Sequence, residues 1–366
     1  MDNPLRQINR FYKKSEALAE RAKEFVLRKQ INDFYKIFGG HIFFQTLSSG
    51  VELDLFTQLS RRKKMNRQEI RDCLGIEEKP AKILLSGLTT LKLIRKKGDS
   101  YSNSSLANLL LNSDSEKNII PYIRFENHII YRPLARFSDS ISANTNLGLE
   151  EFKGDFPTVY QRLANNPELE QIFQDSMEKL SRQVNPYLPA YLNLSKTKFL
   201  LDVGGGNGEN IIQLARQYPN LQAAVFESPT VCETARENIR ENKLESRLKA
   251  IEGNCFTDDF PEQTDAFLFS HFFTIWSEEK NKELLKKCYK TLPNQGKVAI
   301  FNMMQKDNEK GPLSSAMGSP YFLTLATGEG MIYPWKDYKS WIKETGFSKI
   351  QTYKLPRDHG LIIATK

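Results

Sequence analysis

The sequence predicts a two-part molecule: a helical N-terminal part built around a winged-helix unit, then an α/β part whose parallel sheet ends in an antiparallel hairpin. Three observations carry that reading. From residue 196 onward, short apolar runs alternate with helix-patterned stretches, as in a parallel sheet with helices on both faces. Residues 199–219, FLLDVGGGNGENIIQLARQYP, join a buried strand to a helix through a cluster of glycines. Residues 66–103 run helix, glycine turn, helix, hairpin. A chain of 366 residues is long enough for two domains and a large core.

Taken in order, residues 1–29 read as a charged extension. Ile31, Phe34, Tyr35 and Phe38 recur at helical spacing and predict one face of a helix. Gly39 and Gly40 weaken that helix by about 1 kcal/mol each, or let another backbone approach. NRQEIRDCL stops at Gly75, KPAKILLSGLTTL follows, and KLIRKKGDSYSNS turns at Gly98-Asp99. A DNA-reading winged helix exposes polar side chains on its second helix. Here Ile83, Leu84, Leu85, Leu88 and Leu91 cover most of that helix, which favours a protein-interaction module. Residues 116–195 read as connecting helices rich in aromatics. The α/β part has strands at 198–203, 222–227, 265–270, 297–303, 348–354 and 360–365, with a short one at 247–251. Its helices fall at 209–217, 230–242, 278–291 and 336–345, and the loop LPRDHG makes the last two strands a hairpin. The expected domains are therefore 1–115, 116–195 and 196–366.

Composition narrows the function classes. The four cysteines are scattered, which suits a reducing cytoplasm and offers no cysteine-based zinc site. With only four histidines no metal site is expected. No apolar run approaches the roughly 18 residues that span a bilayer, and the N-terminus lacks a signal-peptide core. The net charge of +8 is spread thinly, so a solvated surface is favoured over a nucleic-acid patch.

The glycine loop carries the chemistry. Gly204, Gly205, Gly206 and Gly208 form the turn, but a dinucleotide fingerprint would need glycine where Glu209 stands, and no Lys-Ser/Thr pair marks a P-loop. Asp202, directly before the loop, would repel phosphate. S-adenosylmethionine fits instead: its sulfonium and ammonium are cationic, and its carboxylate suits a helix N-terminus. Glu227, 23 residues beyond Gly204, ends the next strand, where an acid accepts hydrogen bonds from ribose hydroxyls. In GNCFTDDFP, Asn254 is placed for the adenine edge and Phe256 for its face. Cys255, Ser270 and His271 complete the candidate cofactor set. The blander alternatives are a simple glycine turn and a solvated Glu227.

These motifs resemble the small-molecule O-methyltransferases of the hydroxyindole, caffeate and polyketide type, over roughly residues 30–366. GVELDLFTQL resembles their N-terminal helix motif and GLTTLKLIRKKGDSYSNS their dimerisation segment. LDVGGGNGENIIQLARQYPNL, VFESPTV and GNCFTDDFP resemble three cofactor motifs in order, and GFSKIQTYKL also fits. The resemblance implies a Rossmann-like class I methyltransferase domain behind an all-helical winged-helix dimerisation domain. It also implies a homodimer in which the first domain is swapped into the partner and lines its active site. It departs at two positions. The family's base histidine, in L-H-D-W-S-D, is replaced by Thr274 in FFTIWSEE, and a glutamate that orients that base is replaced by Asn302 in AIFNMM. Threonine is no base near neutral pH.

His271, just past the fourth long strand, is the nearby candidate: a base, a substrate-orienting donor, a metal ligand or a structural histidine. An unperturbed imidazole would titrate near pH 6.5 and could partly replace the missing base. In RFENHIIYRPL, Arg124 and His128 share a helix face and could hold an anionic acceptor, or form an ordinary surface pair. GSPYFLTLATGEGMIYPWKDY offers Tyr321, Met331 and Tyr333 as an acceptor wall, or as core packing; TGEGMIYPW also resembles family members that C-methylate α-keto acids. The expectation is a methyltransferase using S-adenosylmethionine on a small-molecule acceptor, at oxygen or carbon. Two alternatives remain: a family member that binds the same cofactor for a non-methylating reaction such as a hydroxylation, and a winged-helix regulator.

Overall fold

The computed structural model describes residues 4–366, with side chains from Glu20 onward except Ala22. The expected extension at 1–29 is, from Pro4 on, the start of one helix, Pro4–Phe38. Gly39 breaks the helical path, and Gly40–Glu52 resumes it. A Cβ at Gly39 would lie 3.0 Å from the Tyr35 carbonyl oxygen and 3.1 Å from the Phe43 ring, so the chain turns where only glycine fits easily.

Contacts divide the chain between Asn127 and His128 into two compact units. That boundary falls inside the segment 116–195, which was expected to hold connecting helices. The first unit is mostly helical but carries a three-stranded antiparallel sheet of β1 (Met65–Asn66), β2 (Ile94–Lys97) and β3 (Ser100–Asn103), in the order β1-β3-β2. Helix Arg67–Leu74 starts in a capping box, with Asn66 and Glu69 satisfying each other's backbone N–H, and stops at left-handed Gly75. Helix Glu78–Thr90 buries Ala81, Leu84, Leu85 and Leu88 in the core of this unit, so these side chains cannot read a base edge.

The second unit holds a seven-stranded sheet of β4 (Phe199–Val203), β5 (Gln222–Glu227), β6 (Leu248–Glu252), β7 (Ala266–Ser270), β8 (Lys297–Met303), β9 (Lys349–Lys354) and β10 (His359–Thr365). The spatial order is β6-β5-β4-β7-β8-β10-β9. The first five are parallel, and β10 runs antiparallel to both β8 and β9. All five residues of β4 are buried, as expected of a central strand covered on both faces. Phe267, Phe269, Ile300 and Ile362 pack with Trp341 and Tyr338 on one face, and Leu268, Ala299, Phe301 and Leu361 with Ile211 and Leu214 on the other. The chain winds outward from β4 to β6 and then returns to β7. A topological switch point therefore lies between β4 and β7, where open parallel sheets take their ligands.

Candidate active site

At the switch point the glycine loop leaves β4 with left-handed backbones at Gly204 (φ +72°), Gly206 (+57°) and Gly208 (+81°). Close approach is required as well: a Cβ at Gly204 would sit 2.2 Å from the Phe272 ring, and one at Gly205 2.7 Å from the Asp202 carboxylate. Gly206 by contrast faces open space. Helix Glu209–Gln217 then starts at Gly208.

Asp202 is fully buried, and neither carboxylate oxygen has a hydrogen-bond partner among the described residues. Burial pushes its pKa up to about 8; nearby Asn210 offsets part of that rise and the charge of Glu227 adds to it. No cation among the described residues balances this carboxylate. Glu227 accepts from the Gly206 N–H at 3.2 Å and the Ser228 N–H at 3.1 Å, tying the loop to the tip of β5, and burial raises its pKa. Beside it Ser228, Pro229, Glu252, Gly253, Asn254 and Asp258 line an open surface depression of about 400 Å³. Asn254 Oδ1 accepts from the Phe256 N–H, and the Phe256 ring meets Trp276 edge-on at 4.8 Å. Lys280 covers both rings and pairs with Glu329 at 2.6 Å. Cys255 is buried, its thiol pushed up to about 12 by that burial, so it is no nucleophile. Ser270 is the last residue of β7 and pairs with Phe301 of β8.

The loop after β7 holds Thr274, buried at 4% exposure. Its backbone is gripped from the segment TGEGMIYPW. Thr327 Oγ1 donates to the Ile275 carbonyl, and the Tyr333 hydroxyl donates to the Trp276 carbonyl at 2.7 Å. Gly330 lies so close that a Cβ there would fall 2.1 Å from the Thr274 carbonyl oxygen. Asn281 donates to the Phe273 and Trp276 carbonyls from the other side. Tyr333 is thus a core residue bracing the loop, with its hydroxyl engaged. Met331 is 36% exposed, and the Tyr321 hydroxyl lies 3.4 Å from that of Tyr160. Arg124 lies 3.6 Å from Glu52 in the first unit, and His128 is exposed on a π-helical turn, Glu126–Ile130. That turn departs from the regular α-helical spacing on which their shared face was predicted.

His271 takes a left-handed backbone (φ +55°), and its N–H donates to the Phe301 carbonyl at 2.8 Å. Its Nε2 is buried with no partner among the described residues, and burial lowers its pKa to about 3. The expected titration near pH 6.5 is corrected accordingly: His271 is neutral at physiological pH and a weak base. Asn302 is fully buried; its amide lies 3.4 Å from the Tyr338 hydroxyl and its Oδ1 is unpartnered. Among the described residues no group of three or more His, Cys, Asp or Glu is gathered to hold a metal, and no helix is long and apolar enough to cross a membrane.

Residues 141–348 match the model of the O-methyltransferase domain, and residues 35–113 that of the O-methyltransferase dimerisation domain. The chain belongs to the O-methyltransferase family. This O-methyltransferase-family chain is 35% identical to the L-tyrosine C(3)-methyltransferase of Streptomyces lavendulae over 88% of its own length and 89% of that protein. It is 27% identical to the 3-hydroxy-5-methyl-1-naphthoate 3-O-methyltransferase of Streptomyces sahachiroi, over 88% and 91%. Among solved structures, the S-adenosylmethionine-dependent methyltransferase SibL shares 33% identity at a TM-score of 0.79, covering 91% of this chain and 98% of that one. Within this methyltransferase, sequence reasoning overlooked His359, which packs 5.1 Å from His271, ring to ring. The only signal for it was its place at the start of the last strand. The grip of TGEGMIYPW on the loop was equally invisible, because it runs through backbone carbonyls.

Proposed function

We propose that this chain transfers a methyl group from S-adenosylmethionine to a small phenolic acceptor, and that the methyl goes to a ring carbon beside the hydroxyl. The observation that carries the choice of carbon is the side chain at the family's base position, the buried Thr274. Attack by a phenol oxygen requires its proton to be drawn off as the bond forms, and Thr274 cannot take it. A ring carbon attacks with the π-electrons that the hydroxyl enriches. The hydroxyl then needs only a hydrogen-bond acceptor, and the ring proton leaves to solvent after the new C–C bond has formed. The relative that methylates L-tyrosine at C(3) supports the same class of acceptor.

The cofactor supplies a methyl already activated on a sulfonium. Asp202 would set the negative charge its cationic end requires, and Gly206, where a Cβ would face open space, would keep a side chain out of its path. Glu227, at the strand tip, would offer its carboxylate to ribose hydroxyls, and the open depression at Ser228–Asp258 would take the base. Holding donor and acceptor in line supplies much of the acceleration. The test is incubation with S-adenosylmethionine and a panel of para-substituted phenols that includes L-tyrosine. The expected product carries one added methyl and retains a free hydroxyl. An aryl methyl ether would move the reading to oxygen. Turnover without S-adenosylhomocysteine would move it to a non-methylating reaction.

A further inference from the structure

His271 and His359 stand together at the ligand edge of the sheet. His271 follows the C-terminal end of β7. His359 opens β10, which runs antiparallel, so its start lies at the same edge, opposite Met303 at the end of β8. Their rings meet edge-to-face with centroids 5.1 Å apart, and the Phe301 ring packs against both at 5.3 and 5.6 Å. His359 is 2% exposed. Its Nδ1 lies 2.7 Å from the Arg357 carbonyl oxygen. A carbonyl only accepts, so Nδ1 carries the proton and Nε2 is a bare lone pair. Both Nε2 atoms, of His271 and of His359, are buried and without a partner among the described residues.

A buried ring nitrogen left without a partner is costly, and here two such rings are in contact. The backbone nearby is left-handed at His271, Arg357 and Asp358 (φ +55°, +59° and +58°), the last two in the loop between β9 and β10. Asp358 also accepts from Ser314 Oγ at 2.7 Å, which ties the hairpin loop to the first turn of helix Leu313–Tyr321, the start of the expected acceptor wall.

We infer that His271 and His359 form a paired hydrogen-bonding site that receives a neutral hydroxyl of the small-molecule acceptor. This rests on the proposed phenolic substrate and names the residues that hold its oxygen. Burial against Phe301 disfavours the charged form of both rings and lowers both pKa values, so the pair suits an O–H donor rather than a carboxylate. His359 positions the hydroxyl; no proton transfer is required of it.

The experiment uses the full chain, labelled with ¹⁵N in its imidazoles and saturated with S-adenosylhomocysteine, titrated with p-cresol and with L-tyrosine. The four histidines make the spectrum assignable by substitution. Expected are phenol-dependent shifts of two Nε2 signals, assigned to His271 and His359 and abolished in His359→Leu. In turnover, His359→Leu should raise KM for the phenol about tenfold, the change from losing about 1.4 kcal/mol of binding, with kcat altered less. Affinity for S-adenosylhomocysteine should be unchanged. His359→Gln, which keeps a polar atom near the Nε2 position, should restore most of the loss. Nε2 signals indifferent to both phenols, or a His359→Gln variant as impaired as His359→Leu, would overturn the inference. Shifts at both histidines without methyl transfer to any phenol would leave the pair standing and discard the proposed reaction instead.

Discussion

Asp202 is a carboxylate buried beside a glycine loop with no cation among the described residues to balance it, and that burial pushes its pKa up to about 8. Below pH 8 the ligand-free protein carries a proton there. A cationic ligand favours the charged carboxylate, so binding expels that proton, and affinity for S-adenosylmethionine should rise with pH until about 8 and then level off. Calorimetry across that range would show it, and Asp202→Asn should bind weakly at every pH with little slope. A wild-type affinity independent of pH would mean that no cation sits near this carboxylate. Thr274 yields the complementary prediction. General-base help is worth about 10²–10⁴ in rate, so Thr274→Ala, which removes no base, should leave kcat within about threefold. A loss of a hundredfold would assign Thr274 a direct part in the reaction. Asp202 was legible in the sequence because an acid before a glycine loop is chemically odd. The low basicity of His271 was not, since it depends on Phe301 and His359, which are distant in the chain.

The strands from residue 196 onward and the helices at 209–217, 230–242, 278–291 and 336–345 were legible to within a residue, whereas helix Leu313–Tyr321 was not foreseen. Helices 209–217 and 278–291 have the bounds their periodicity predicts. What periodicity cannot convey is how one element holds another. TGEGMIYPW reads as aromatic lining, yet its main task is to clamp the loop that carries Thr274, through Thr327, Tyr333 and the bare backbone of Gly330. The π-helical turns at 126–130 and 322–326 were hidden for a related reason: one extra residue in a turn changes a face without changing composition. Gly330→Ala should therefore be severe. Its methyl would meet backbone atoms of Thr274 and Ile275 between 2.1 and 2.6 Å away, which no side-chain rotation relieves. Overpacking commonly costs about 1–3 kcal/mol, and a backbone clash should reach the upper end, visible in urea unfolding. Tyr333→Phe should cost about 1 kcal/mol, the net worth of one hydrogen bond. A Gly330→Ala variant with wild-type stability and activity would show that the loop is not clamped.

At the scale of the whole molecule, the dimerisation segment begins at residue 35, inside a helix that runs without interruption from Pro4 to Phe38. From Phe25 on, that helix presents a run of apolar side chains to solvent: Phe25, Leu27, Ile31, Phe34, Tyr35 and Phe38 are between 44% and 71% exposed. Large apolar groups gathered on one element and left uncovered mark an interaction surface. Continuity with the dimerisation segment makes a second copy of this chain the partner that would cover them. Full burial of a large apolar side chain is worth about 1.5–3 kcal/mol, so placing charges at two such positions should remove more binding energy than a dimer of micromolar affinity can lose. The double variant Phe34→Asp, Phe38→Asp should sediment and scatter as a monomer at micromolar concentration where the unaltered chain is a dimer. Its circular dichroism should stay close to wild type, because neither side chain lies in a buried core. If both proteins are dimers, the helix lies outside the interface and residues beyond Phe38 hold the dimer alone. If both are monomers, the dimerisation segment does not pair in this chain. A monomeric variant that keeps full turnover would show that each active site is complete within one subunit, against the expectation that the partner's first domain lines it.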